Sequence, residues 1–107
     1  MLSNTKAKYI KSLQIKKYRK KHRSFLVEGA KNVQELFKSD FEVDCLVTTE
    51  EFYKNSFAQL NNAAFDVYIE KQVKIESLGT LQTNDAAIAI AKIPDPKRFV
   101  VDDEVVL

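Results

Sequence analysis

Tryptophan is absent from this 107-residue sequence, cysteine and histidine occur once each, and glycine and proline twice each. Each scarcity excludes something. A lone cysteine, Cys45, builds no internal disulfide framework and fits a reducing compartment, so a cytoplasmic location is expected. In its apolar setting Cys45 reads as a small buried strand residue rather than as a nucleophile. The single histidine, His22, has no second His or Cys with which to share a zinc ion, so no metal is expected. With only Gly29 and Gly79, there is no glycine-rich phosphate loop, and the few Gly and Pro exclude a low-complexity chain. No apolar run approaches the ~20 residues of a membrane span, and no hydrophobic stretch follows the basic start, so neither a secretory signal nor a membrane partner is expected.

What remains is a chain that is 45% hydrophobic, enough for one domain with a modest core. Its net charge of +2 conceals a strong asymmetry. Residues 1–31 contain ten Lys/Arg and one acid, Glu28, whereas residues 32–107 contain seven Lys/Arg and fourteen acids. Lys6, Lys8, Lys11, Lys16, Lys17, Arg19, Lys20, Lys21 and Arg23 follow one another without an intervening acid. Surface helices ordinarily interleave the two signs. A segment of one sign points to a polyanionic partner.

The apolar spacing alternates between helical and extended periods. Tyr9, Ile10 and Leu13 recur at helical spacing, with Ser3 or Asn4 available as the cap. Lys8 and Lys11 are expected to face away from Tyr9 and Leu13, and the helix is expected to end or bend between Ile15 and His22, where the spacing fades. Phe25, Leu26 and Val27 predict a buried strand stopped by Glu28 and Gly29. Val33, Leu36 and Phe37 mark an amphipathic helix. Residues 43–47 predict a second strand. Thr48 and Glu51 have capping-box spacing, ahead of a helix carrying Tyr53, Phe57 and Leu60. Asn61 and Asn62 signal a turn. Residues 65–69 predict a strand with Asp66 and Tyr68 on the face opposite Phe65. Residues 71–78 predict a helix ended by Gly79. Residues 86–91, small and apolar throughout, suit a central strand covered on both faces. Such alternation implies an α/β fold with a mostly parallel or mixed four-stranded sheet between helical layers.

After Ile93 the texture changes. Pro94, Asp95 and Pro96 break regular structure. Phe99, Val100 and Val101, the acidic Asp102, Asp103 and Glu104, and the apolar Val105, Val106 and Leu107 follow. The expected organisation is a domain over residues 1–93, then a linker and the first strand of a second domain over residues 94–107.

The order of these elements resembles the opening of the SpoU/TrmH-type RNA methyltransferases. The resemblance rests on Lys16, Lys17, Tyr18 and Arg19, then Phe25, Leu26, Val27, Glu28, Gly29 and Lys31. It continues through Val33, Gln34, Glu35 and Leu36, Leu46, Val47 and Thr48, Val67 and Tyr68, and Ala89, Ile90 and Ala91. It implies a three-layer α/β/α sandwich like that of the ribosomal protein L30e group. It further implies that this domain docks ribosomal or transfer RNA for a following knotted domain, which binds S-adenosylmethionine, methylates a ribose 2′-hydroxyl and usually dimerises. Catalytic and cofactor residues are expected beyond Leu107, so the 107 residues alone are expected to be inactive and to bind no cofactor. One departure stands out: where the family often has Thr-Pro-Gln-Gly, this chain has Thr83, Asn84, Asp85 and Ala86.

Within that reading, the nine cations of the basic segment are expected to meet phosphates. Arg19 and Arg23 can fork onto phosphate oxygens, while lysines act as point charges. Tyr18 either stacks on an unpaired base or sits partly in the core. Glu28 either caps the following helix, pairs with the basic segment, or shapes an RNA surface beside Lys31. Gly29 suits a positive φ or a close backbone approach. Glu50 and Glu51 fit helix capping better than acid–base chemistry. Asp102, Asp103 and Glu104 read as solvated linker. The alternative function is a free-standing L30e-like ribosomal or kink-turn-binding protein, and a weaker one is a domain whose basic face meets an acidic protein.

Overall fold

The computed structural model describes residues 2–61, 63–80, 84 and 86–94. In chain order the elements are α1 (Asn4–Ser12), α2 (Lys16–His22), β1 (Ser24–Glu28), α3 (Ala30–Phe37), β2 (Val43–Thr48), α4 (Glu50–Asn55), α5 (Phe57–Leu60), β3 (Asp66–Ile69), α6 (Gln72–Leu78) and β4 (Ala87–Lys92). The expected strands are all present, their ends shifted by a residue at most. Asn62, Thr83, Asp85 and the expected linker and strand from Asp95 to Leu107 lie outside the described residues.

The sheet is mixed, in the order β1-β4-β2-β3. β4 lies antiparallel to both β1 and β2, and only β2 and β3 run parallel. β4 is central because it can be. Ala87, Ile88, Ala89, Ile90 and Ala91 are all fully buried, and small side chains let helices approach both faces.

Two apolar layers flank the sheet. On one face Cys45, Val47, Ile88 and Ile90 pack with Ile10 and Leu13 from the first helical stretch and with Ile75 and Leu78 of α6. On the other, Leu46, Ala87, Ala89 and Ala91 pack with Val33 and Leu36 of α3, Phe52 of α4 and Leu60 of α5. The result is the expected three-layer α/β/α arrangement. Strict alternation would place Val43 beside Cys45. Instead the register between β2 and β4 slips at Asp44, and Val43 joins the opposite layer, as an extra residue in one strand of a pair requires.

Three local expectations are corrected. The break in the basic segment comes earlier than expected, at Leu13–Ile15. There the amides of Leu13, Gln14 and Ile15 bond three residues back, to Ile10, Lys11 and Ser12; that tightening ends α1, and residues 16–22 form a helix of their own. The cap of α4 is Thr49, not Thr48: its hydroxyl accepts from the Phe52 amide at 3.2 Å, while Thr48 ends β2 and donates to the Thr49 carbonyl. The helix expected over Tyr53, Phe57 and Leu60 is two short helices, divided at Ser56, whose amide bonds back to the carbonyls of both Phe52 and Tyr53.

Candidate nucleic-acid interface

The basic segment occupies two helices set at an angle by a pinned corner. The Gln14 side-chain amide donates to the carbonyls of Leu78 at 2.8 Å and Gly79 at 3.2 Å. The Arg19 guanidinium donates through Nη1 to the Leu13 carbonyl at 3.0 Å. α1 and α2 are thereby tied to each other and to the end of α6.

α2 separates its side chains by face, as a 3.6-residue repeat dictates. Lys16, Lys17, Lys20 and Lys21 fall on one half of the helix, and all four are exposed. Tyr18 and Arg19, half-buried, fall on the other. Of the cations, Lys20 and Lys21, together with Arg19, fall in the last turn, where the negative end of the helix dipole favours positive charge. Arg23 caps α2 in the left-handed conformation, φ 52°. Its guanidinium donates through Nη2 to the Pro94 carbonyl at 3.1 Å, and its own carbonyl accepts from the Ile93 amide.

The other nominated residues divide into those near this face and those engaged elsewhere. Lys8 and Lys11 are exposed on α1, away from Tyr9 and buried Leu13, as expected. Lys6 turns toward the sheet instead: its Nζ lies 3.9 Å from Asp44 and 5.3 Å from the centre of the Tyr9 ring. Tyr18 stacks on His22 with ring centres 6.4 Å apart and 16° between planes, and Lys17 Nζ sits 5.6 Å from its ring centre. His22 also meets the edge of Tyr9 at 5.0 Å. Lys31 is exposed in the first turn of α3.

Glu28 braces the loop after α6. Its carboxylate accepts from the Thr80 amide at 2.8 Å and the Thr80 hydroxyl at 2.7 Å. It does not cap α3. That helix starts from Gly29, at φ 93° and without a side-chain cap, a conformation that favours glycine.

Four side chains have positional roles that sequence reasoning did not assign: Gln14, His22, Thr80 and Asn84. Only His22 carried a local signal, its i+4 spacing from Tyr18. Asn84 is 3% exposed and shapes the turn into β4. Its Oδ1 accepts from the Ala86 and Ala87 amides at 3.0 and 3.2 Å, and its Nδ2 donates to the Ala87 carbonyl at 2.8 Å. Cys45 lies apart from the basic surface; burial pushes its thiol up to about 11, with Lys6 opposing the rise and Asp44 and Asp66 adding to it.

The three-layer mixed-sheet domain has known counterparts. Over residues 4–89 the sequence matches the family described as the MRM3-like substrate binding domain. The chain belongs to this family. No curated protein matches its sequence. Among solved structures, an RNA 2′-O ribose methyltransferase superposes with a TM-score of 0.70 at 22% identity, over 87% of this chain and 36% of its own. A protein assigned to the TrmH family of RNA methyltransferases, from Porphyromonas gingivalis, gives 0.68 at 26% identity, over 88% of this chain and 36% of its own. The SpoU methyltransferase AviRb from Streptomyces viridochromogenes, solved with AdoMet, gives 0.69 at 16% identity, over 87% and 37%. This substrate binding domain therefore spans little more than a third of each of these proteins. Among its described residues, no helix is long and apolar enough to cross a membrane.

Proposed function

We propose that this domain holds RNA for an S-adenosylmethionine-dependent ribose 2′-O-methyltransferase. The observation that carries the reading is the outer face of α2: Lys16, Lys17, Lys20 and Lys21, exposed together on a helix whose corner is pinned to the domain. Phosphates neutralised there release counterions, so affinity falls steeply with salt. Lys8, Lys11, Arg23 and Lys31 extend the contact, while Lys6 and Glu28 act through the fold, each holding a partner within it. Arg19 and Tyr18 sit on the flank of α2 nearer the domain. The RNA is ribosomal or transfer RNA, met in the cytoplasm, and the sandwich is of the L30e kind.

Catalysis then belongs to a second domain beyond residue 107 of the same protein, which also supplies dimerisation. Residues 1–107 alone are accordingly inactive, and calorimetric titration with the cofactor gives a flat trace.

Replacing Lys16, Lys17, Lys20 and Lys21 with Ala tests the reading. The variant stays folded, because exposed substitutions usually change stability by about 0.5 kcal/mol or less. On single strands the slope of log affinity against log salt flattens by ~0.7 for each phosphate that is no longer neutralised. An unchanged slope in a folded variant would remove α2 from the interface.

A further inference from the structure

Beside α2 lies a cleft of ≈ 290 Å³ that the basic face does not explain. Leu13 and Leu26 give it apolar walls, Phe25 borders it from β1 with its ring in the opposite layer against Phe41, and its polar rim is Gln14, Arg19, Glu28 and Thr80. We propose that it takes one unpaired guanine of the bound RNA. This deepens the proposed function and rests on it.

The chemistry of the rim selects the occupant. Arg19 uses Nη1 on the Leu13 carbonyl, which leaves Nε and Nη2 as donors on its other edge. Gln14 uses Nε2 on the carbonyls of Leu78 and Gly79, which fixes the orientation of the amide and leaves Oε1 as an acceptor. Glu28 sits in the same wall, so a phosphate entering the cleft would meet a carboxylate. A neutral base pays no such penalty. It gains apolar contact with Leu13 and Leu26 and a hydrogen-bonding edge on the rim.

Two donors beside an acceptor match guanine, which presents the acceptors O6 and N7 next to the N1–H donor; Arg on O6 and N7 is the commonest base-specific pairing. Adenine presents an amino donor where guanine has O6, and so opposes Arg19. The placement of the cleft fits as well. Arg19 is one helical turn from Lys16 and one residue from Lys20, so phosphates on either side of an inserted base fall within reach of the cationic face. Sequence-specific recognition of RNA generally uses bases that are out of the stack.

The test is fluorescence anisotropy with single strands of about ten nucleotides: all uridine, or uridine with one central guanosine or adenosine. The wild-type domain is expected to bind the guanosine strand about tenfold more tightly than the other two. Arg19→Lys keeps the charge and loses the fork, and the ratio is expected to fall to about one. Lys20→Ala is expected to weaken all three strands together and keep the ratio. A second reading needs no variant: guanosine monophosphate is expected to shift the amide resonances of Leu13, Gln14 and Thr80 where ribose 5-phosphate does not. Equal binding of the three strands by wild type, a guanine preference that survives Arg19→Lys, or equal shifts with the two small ligands each overturn the cleft and leave the RNA reading standing. Absence of binding to every strand at low salt overturns both.

Discussion

Gly79→Ala isolates the contact between the end of α6 and the end of β1. Gly79 has φ −111° and ψ −164°, an extended conformation open to any residue, so the cost of a side chain is steric alone. A Cβ there would collide with Glu28 Oε1, lie 2.7 Å from Glu28 Cδ and 2.9 Å from Ile88 Cδ1. Glu28 can swing aside, but only by releasing the amide and hydroxyl of Thr80. Hydrogen bonds to a charged group contribute about 1.5–3 kcal/mol each where water is excluded; Thr80 is exposed, so about 1 kcal/mol for the pair is the reasonable share. Ile88 is fully buried; crowding a packed core costs about 1–3 kcal/mol, and a single methyl against the end of one side chain takes the lower part of that range, about 1–2 kcal/mol. The sum is a loss of about 2–3 kcal/mol, a large part of the stability of a small domain. Urea denaturation followed by circular dichroism reads it as a midpoint lowered by about 1–2 M. In a Glu28→Ala background the collision with the carboxylate is gone, and the same substitution costs about 1–2 kcal/mol, the Ile88 share. A loss under about 0.5 kcal/mol, or an equal loss in both backgrounds, refutes the reasoning.

Asn84→Ala removes three hydrogen bonds from a buried turn and strands two amides; a loss of about 2–3 kcal/mol is expected in a thermal melt, and a melt unchanged from wild type would contradict it. Ala89→Leu overfills the centre of the sheet, where Ala89 is 0% exposed, and is expected to destabilise by about 1–3 kcal/mol in urea. Cys45 adds a pH dependence of known sign. Below pH 9.0, its ordinary value, the thiol is neutral folded or unfolded. Between there and about 11 only the unfolded chain releases the proton, so stability falls as pH rises, by about 1.4 kcal/mol per unit. Cys45→Ala is expected to decline less over that interval, and identical pH profiles would show that the thiol is not held neutral by the fold.

Strand positions and the two-sided burial of residues 86–91 were legible in the sequence because they rest on periodicity and side-chain size, which are local. The layers followed from the same signals. Strand direction was less so: that β4 runs antiparallel to both neighbours depends on long-range pairing that no local pattern records. The break after Leu13 was misplaced because its cause lies across the molecule, in the carbonyls of Leu78 and Gly79 that hold Gln14. Thr49 displaced Thr48 as a cap because β2 runs one residue further than its apolar run. Within the candidate interface, the density of charge and the separation of Lys8 and Lys11 from the core were readable. The diversion of Lys6 to Asp44 was not, since Asp44 sits where β2 departs from its register.

The strand order has a consequence for how the protein is made. β1 hydrogen-bonds to β4, and β4 also separates β1 from β2. On the ribosome, β1 emerges early and waits without a partner until residues 87–92 have followed it out. The sheet therefore cannot close from the N-terminus forward, and its assembly is delayed until most of the domain has been translated. During that interval the inner edges of β1 and β2 are both available to foreign strands. A nascent chain stalled before Ala87 should be open to protease and dependent on chaperones, whereas one in which Lys92 has also emerged holds all four strands of the described sheet and becomes more resistant.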